Sequence, residues 1–252
     1  MIWMETIKDI QKVYQQELQI LDPQDIDIEA IAYLANATVR YRNLQGCEAR
    51  IVGNGNRAVI SVNRDTMRAR QRFSIAHELG HWFCHRGMLG NLCSKEDITS
   101  SRKGPKKKIA GKEIIANRFA SELLMPNYLY SKAVGSHPPT YDLIYSLSSS
   151  FQVSLTAAAI RCLDFCDYPA ALVCIEGRRR TWFHTSPLFP NSYFPKLLIS
   201  DIPLQSAGIM DADAWFDGQR LEYRSLNSQL WAAGDNCIMA LLWWDEDWND
   251  EA

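Results

Sequence analysis

No apolar run in this 252-residue chain approaches the roughly 18–20 residues that a bilayer-spanning helix needs. Neither sign of charge dominates: 27 Lys and Arg stand against 29 Asp and Glu, a net charge of −2. That balance excludes the global basic field that drives non-specific binding to nucleic acid. Met1 to Leu21 mixes Glu5, Lys8, Asp9, Lys12 and Glu17 into its apolar residues, so it reads as neither a signal peptide nor an anchor. A cytoplasmic location is the expectation. The seven cysteines are odd in number and scattered, which argues against a disulfide framework and for buried thiols. Cys162 and Cys166 could meet one helical turn apart, but no second ligand pair accompanies them, so they make a poor structural metal site. No internal repeat or low-complexity segment stands out. At 47% hydrophobic and 22% charged, the chain can bury the core of one large domain or two smaller ones.

Histidine is scarce, five in all, yet two of the five fall in Phe73-Ser74-Ile75-Ala76-His77-Glu78-Leu79-Gly80-His81-Trp82-Phe83-Cys84. This is an H-E-x-x-H motif inside an apolar pattern of helical period. On a helix, His77 and His81 lie one turn apart on one face and can converge on one metal ion. Glu78 sits beside that face, where its carboxylate can act as a general base without becoming a ligand. Ile75, Leu79 and Trp82 recur at i, i+4 and i+7 as a core stripe. Gly80 costs the helix about 1 kcal/mol against alanine, which implies that something needs close access to its backbone. The alternative is a pair of satisfied histidines on an ordinary helix.

A catalytic zinc site needs a third protein ligand and one open position. The extended pattern H-E-x-x-H-x-x-G-x-x-H would put Gly at 84 and His at 87, but Cys84 and Gly87 stand there, which excludes that class. The spacing predicts a helix from Lys112 to Met125, stopped by Pro126. On it, Ala116, Asn117 and Ala120 stand at i+3, i+4 and i+7 from Glu113, small enough to let this helix press against the first and bring Glu113 to the metal. Glu122 lies about 180° around the helix from Glu113 at about 100° per residue, so the two cannot share that face. His85 is the competing third ligand, or a residue that simply ends its helix. Asn117 could brace Glu113, or could serve only as a small residue that permits close packing.

Elsewhere the pattern predicts a helix from about Glu5 to Ile20 and a second at Ile28 to Ala35, with Asp25 or Asp27 as its cap. Arg50-Ile51-Val52 and Ala58 to Val62 read as a hairpin around Gly53-Asn54-Gly55-Asn56, with an edge that could pair with a substrate peptide or be purely structural. Arg68, Arg70 and Arg72 read as solvated surface. From Arg86 to Gly111 a glycine-rich stretch with Arg102, Lys103, Lys106, Lys107 and Lys108 reads as a solvated loop. Two short helices, Tyr141 to Ser149 and Leu155 to Phe165, resemble a helix-turn-helix. Their segment carries only Asp142, Arg161 and Asp164, which makes it a poor phosphate binder and argues against direct DNA binding. Strands are expected at Ala170 to Ile175, Arg180 to His184, Ala214 to Phe216, Leu221 to Tyr223 and Cys237 to Trp244, forming a small C-terminal sheet.

Three stretches resemble the ImmA/IrrE family of metallopeptidases: Arg70 to His81 (R-Q-R-F-S-I-A-H-E-L-G-H), Glu113 to Pro126 (E-I-I-A-N-R-F-A-S-E-L-L-M-P) and Phe151 to Arg161 (F-Q-V-S-L-T-A-A-A-I-R). The resemblance spans roughly residues 25 to 185. It implies that His77, His81 and Glu113 are the metal ligands and Glu78 the catalytic base. Members often carry a further acidic residue where this chain has Ile115, which leaves Glu113 as the only nearby candidate. The implied fold class is α+β: a zincin-like peptidase domain of helices plus a small sheet over residues 1–135, a helix-turn-helix-like segment over 136–168 and a β-rich region over 169–252.

The resemblance also implies a zinc-dependent endopeptidase that cuts a helix-turn-helix (XRE-type) repressor and so switches on stress-response or mobile-element genes. A His/His/Glu set tolerates other divalent ions, Mn2+ among them. Two rival readings are a regulator that grips a repressor without cutting it, its metal being structural, and a direct DNA-binding regulator.

Overall fold

Asp27 caps the helix that begins at Ile28, its carboxylate accepting from the backbone N–H of Glu29 (3.0 Å) and Ala30 (3.1 Å). In the computed structural model, residues 4, 6–84, 92–93, 111–199, 207–218, 224–234 and 236–245 are described. They contain seven α-helices and three sheets, an α+β architecture. The helices are α1 (Ile7–Lys12), α2 (Ile28–Leu34), α3 (Arg68–Cys84), α4 (Gly111–Leu124), α5 (Asn127–Val134), α6 (Tyr141–Phe151) and α7 (Leu155–Phe165). Helix α1 runs on into a π-helical turn, Val13–Glu17, and Pro23–Asp25 forms a 3-10 turn. No single helix among the described residues is long and apolar enough to cross a membrane.

The chain divides into two compact units. The first comprises the described residues up to Tyr130 together with Ser149–Ser154, and the second takes Ser131–Ser148 and the described residues from Leu155 on. In the first unit, β1 (Ala37–Arg42), β2 (Ala49–Asn54), β3 (Arg57–Asn63) and the two-residue β4 (Leu92–Cys93) form a mixed sheet in the order β1-β3-β2-β4. The expected hairpin is present as β2 and β3, antiparallel, with Gly55 at φ +48 in its turn, a conformation that favours glycine. Strand β1 lies parallel to β3 and was not expected from the sequence. Its position makes β3 an interior strand. Among the described residues the open edges belong to β1 on one side and, on the other, to β2 beyond Ala49 and Arg50, which β4 pairs.

Helices α2 and α3 cover one face of this sheet, the face bearing the buried Ala49, Ile51, Ala58, Ile60 and Val62. The stripe expected on α3 is in place, with Ile75, Leu79 and Trp82 all fully buried and the Trp82 indole donating to the Ala35 carbonyl at 2.8 Å. Tyr14 reaches across from the N-terminal segment and donates to the carbonyl of Leu123 at 2.8 Å, satisfying an acceptor in the last turn of α4.

Of the three arginines ahead of the motif, Arg68 is exposed as expected, and Arg72 corrects the expectation of a solvated surface. Arg72 is buried, 4% exposed, and donates to the Ile26 carbonyl at 3.1 Å. Arg68 bonds both Tyr41 (2.6 Å) and Glu29 (2.9 Å), tying β1, α2 and α3 together, and Arg70 lies 3.8 Å from buried Glu48. Arg72 and Arg70 thus stand against buried acceptors, whereas Arg68 and its partners lie at the surface.

The second unit holds a five-stranded antiparallel sheet in the order β6-β5-β11-β10-β8, formed by β5 (Ala170–Glu176), β6 (Arg179–Thr185), β8 (Ala207–Asp211), β10 (Ser225–Ala232) and β11 (Cys237–Trp243). Short strands β7 (Phe194–Pro195) and β9 (Phe216–Asp217) pair separately. Ala171, Val173 and Ile175 face an aromatic core of Phe189, Tyr193, Trp215, Phe216 and Trp244, while helix α7 also packs on β5. Both faces are covered, which is why β5 reads as a continuous apolar run rather than an alternation. Strands β8 and β10 were not expected from the sequence, and Leu221 to Tyr223 lies outside the described residues. Cys174 and Cys237, on adjacent strands, are disulfide-bonded, a cross-link that the sequence argued against, while Cys47, Cys162 and Cys166 are buried thiols as expected. Helices α6 and α7 bend by 112° across three residues, a helix-turn-helix-like angle.

Candidate metal centre

Helix α3 carries His77 and His81 one turn apart, and α4 packs across it at Gly80. A β-carbon built on Gly80 would stand 2.9 Å from the Ala116 α-carbon and 3.1 Å from its carbonyl oxygen, so the two backbones touch where only glycine fits. This close crossing answers the question raised by a glycine inside a helix. It also sets Glu113, one turn before Ala116, over the histidine pair. Gly80→Ala should therefore push α4 away, costing about 1–3 kcal/mol as overpacking. Thermal unfolding would show the loss, and metal content should fall with it.

The ligand atoms form a small triangle. His77 Nε2 lies 3.1 Å from His81 Nε2, and Glu113 Oε2 lies 3.2 Å from the first and 3.3 Å from the second. Two donors each about 2.0–2.1 Å from a tetrahedral ion stand about 3.3–3.4 Å apart. The three edges match that figure, and the set of two imidazole nitrogens and a carboxylate oxygen suits a divalent ion of borderline hardness. The cluster could hold a metal ion. The His77 side chain is fully buried, and those of His81 and Glu113 are 11% and 15% exposed.

Asn117, for which a brace to Glu113 and simple close packing were both open, meets the histidine helix at His77. Its Oδ1 lies 2.9 Å from His77 Nδ1. An amide oxygen can only accept, so Nδ1 carries the proton and Nε2 turns a lone pair to the triangle. Asn117→Ala should weaken metal affinity by about 10–100-fold with the fold intact, measured by competition with a chromophoric chelator. Glu78 is fully buried beside His77 on α3. Glu122 takes no place in the triangle; it accepts from the N–H of Asn127 at 2.9 Å, capping α5. His85, the rival third ligand, lies outside the described residues, as do Arg102, Lys103, Lys106, Lys107 and Lys108.

The model of the IrrE N-terminal-like domain (Peptidase_M78) matches residues 24–163 of this chain. The chain belongs to this family of metallopeptidase domains. The match takes in both helices of the triangle and extends through α6 and most of α7. A solved structure described as a Mycobacterium tuberculosis transcriptional regulator is similar in fold, with a TM-score of 0.57 and 14% identity over 94% of this chain and 75% of that one. At that identity the likeness speaks for fold alone. No match is found among curated protein sequences.

Proposed function

We propose that this IrrE-like chain is a metal-dependent endopeptidase in which His77, His81 and Glu113 hold a zinc ion and Glu78 moves the proton. The observation that carries the reading is the triangle of ligand atoms with edges of 3.1, 3.2 and 3.3 Å. A divalent ion bound there supplies Lewis-acid polarisation of a carbonyl and makes water more acidic. Glu78, desolvated on the same helix, accepts a proton from the attacking water and delivers it to the departing amine nitrogen. Asn117 keeps the His77 ring in the tautomer and orientation that this arrangement requires. Burial around His77 and Glu78 excludes bulk water from the reacting atoms.

The substrate in this reading is a helix-turn-helix repressor of the XRE type, whose cleavage releases stress-response or mobile-element genes, and the same donor set could take another divalent ion such as manganese in place of zinc. The resemblance of the motif-bearing segments supports this choice. The test incubates the metal-loaded protein with the repressor encoded beside its gene, with and without chelator. Metal-dependent appearance of two fragments supports the reading. Release of DNA by an uncut repressor would favour simple binding instead.

A further inference from the structure

Strands β1, β2 and β3 contain no Asp or Glu, but four arginines. Register places Arg40 and Arg50 on either side of Ser61, with Thr38, Val59 and Val52 in the next row and Arg42 beside Asn63. Arg57 lies on the same face of β3 as Val59 and Ser61, because side chains alternate along a strand. All four arginines are exposed, and none forms an ion pair among the described residues. Val52 is 64% and Val59 38% exposed. Helices α2 and α3 cover the opposite face, so this sheet presents an apolar row edged with guanidinium groups. A recess of about 390 Å3 adjoins it, lined by Tyr33, Leu34, Asn36, Ala37, Thr38 and Arg57.

We propose that this outer face of the β1–β3 sheet docks an amphipathic protein helix with an apolar stripe and acidic residues on both flanks. Stacked layers are how sheets bury an apolar face, and the second layer here is what such a helix would supply. The dimensions agree. Arg40 and Arg50 stand about 10 Å apart across β3 at about 4.8 Å per strand, close to the width of a helix, about 10–12 Å. A helix lying over Val59 and Val52 would reach one arginine with the acids of each flank, and its end would meet the recess beside Tyr33. The charge pattern selects an acidic partner, because four cations stand with no anion in the strands that carry them. A protein fits better than single-stranded nucleic acid: base recognition on a sheet uses stacked aromatic rings, and this face offers valine and threonine at its centre. Arginine around an apolar centre is also the composition of protein interfaces, from which lysine is depleted. This surface does not depend on the chemistry of the histidine cluster.

The probe is a synthetic helical peptide of about 20 residues, long enough to hold helix, with leucines at i, i+3, i+4 and i+7 and glutamates on both flanks. Fluorescence anisotropy would read its affinity for the full chain. Arg40→Glu with Arg50→Glu should weaken binding at least ten-fold while melting temperature and metal content stay unchanged. The same peptide with lysine for glutamate should not bind. If the double charge reversal unfolds the protein, Arg40→Gln with Arg50→Gln gives the same readout with a smaller loss. Equal binding by the variant, or by the lysine peptide, would overturn the proposal. So would tighter binding of single-stranded DNA through the same arginines, or a dimer of this chain that the variant dissociates.

Discussion

Replacing Glu78 by glutamine should leave metal content and melting temperature unchanged while peptide-bond cleavage falls by about 10²–10⁴-fold, the usual contribution of a general acid–base group. The substitution keeps the shape of a side chain that is fully buried, so packing around α3 is preserved. It removes only the ability to take and return a proton. The measurement is the cleavage rate at saturating metal, with bound metal determined in parallel. Because the triangle of His77, His81 and Glu113 does not include Glu78, its edges do not change. Full activity in this variant would remove Glu78 from the mechanism. Loss of metal along with activity would make it a ligand or a support for one.

Stripping the metal has the second large effect. A ligand that binds only the folded chain stabilises it by about 4 kcal/mol when free ligand exceeds its dissociation constant a thousand-fold. For a unit of this size that is a shift on the order of 10 °C. The shift should appear in the transition of the unit that carries α3 and α4. Differential scanning calorimetry with and without chelator would measure it. His77→Ala and Glu113→Ala should each abolish the difference between the two scans, since each removes one of three donors. Their own stability should change less than that of a buried apolar deletion, because removing a donor also relieves the crowding of nitrogen and oxygen lone pairs at 3.1–3.3 Å. A scan that chelator leaves unmoved would mean that no metal contributes to the native state.

The site was legible in the sequence because its geometry is local. His77 and His81 are separated by one helical turn, and Gly80 between them announced a close crossing that the Ala116 backbone fills. Glu113 followed from the small residues above it on the same face. The role of Asn117 was harder to see, since it lies one turn beyond Glu113 and also faces the first helix; only the packing distance assigned it to His77. Charge alone misled at Arg72, which looks like a surface residue until the Ile26 carbonyl is placed against it. Non-local pairing was the least readable. Strand β1 is joined to β3 in parallel, although β2 lies between them in sequence, and the cysteines of the Cys174–Cys237 bond are 63 residues apart with no spacing signal. Polar alternation in β8 and β10 is weak because those strands sit toward one edge of their sheet.

Zinc-edge X-ray absorption on protein loaded with one equivalent of metal tests the central claim most directly. The account predicts only nitrogen and oxygen neighbours at about 2.0–2.1 Å, with the outer-shell scattering of two imidazoles. Glu113→Ala, short of one of three donors, should retain no stoichiometric zinc. A sulfur neighbour at about 2.3 Å would contradict it, pointing to Cys84 in the place given to Glu113. A protein that retains no stoichiometric metal would contradict it outright.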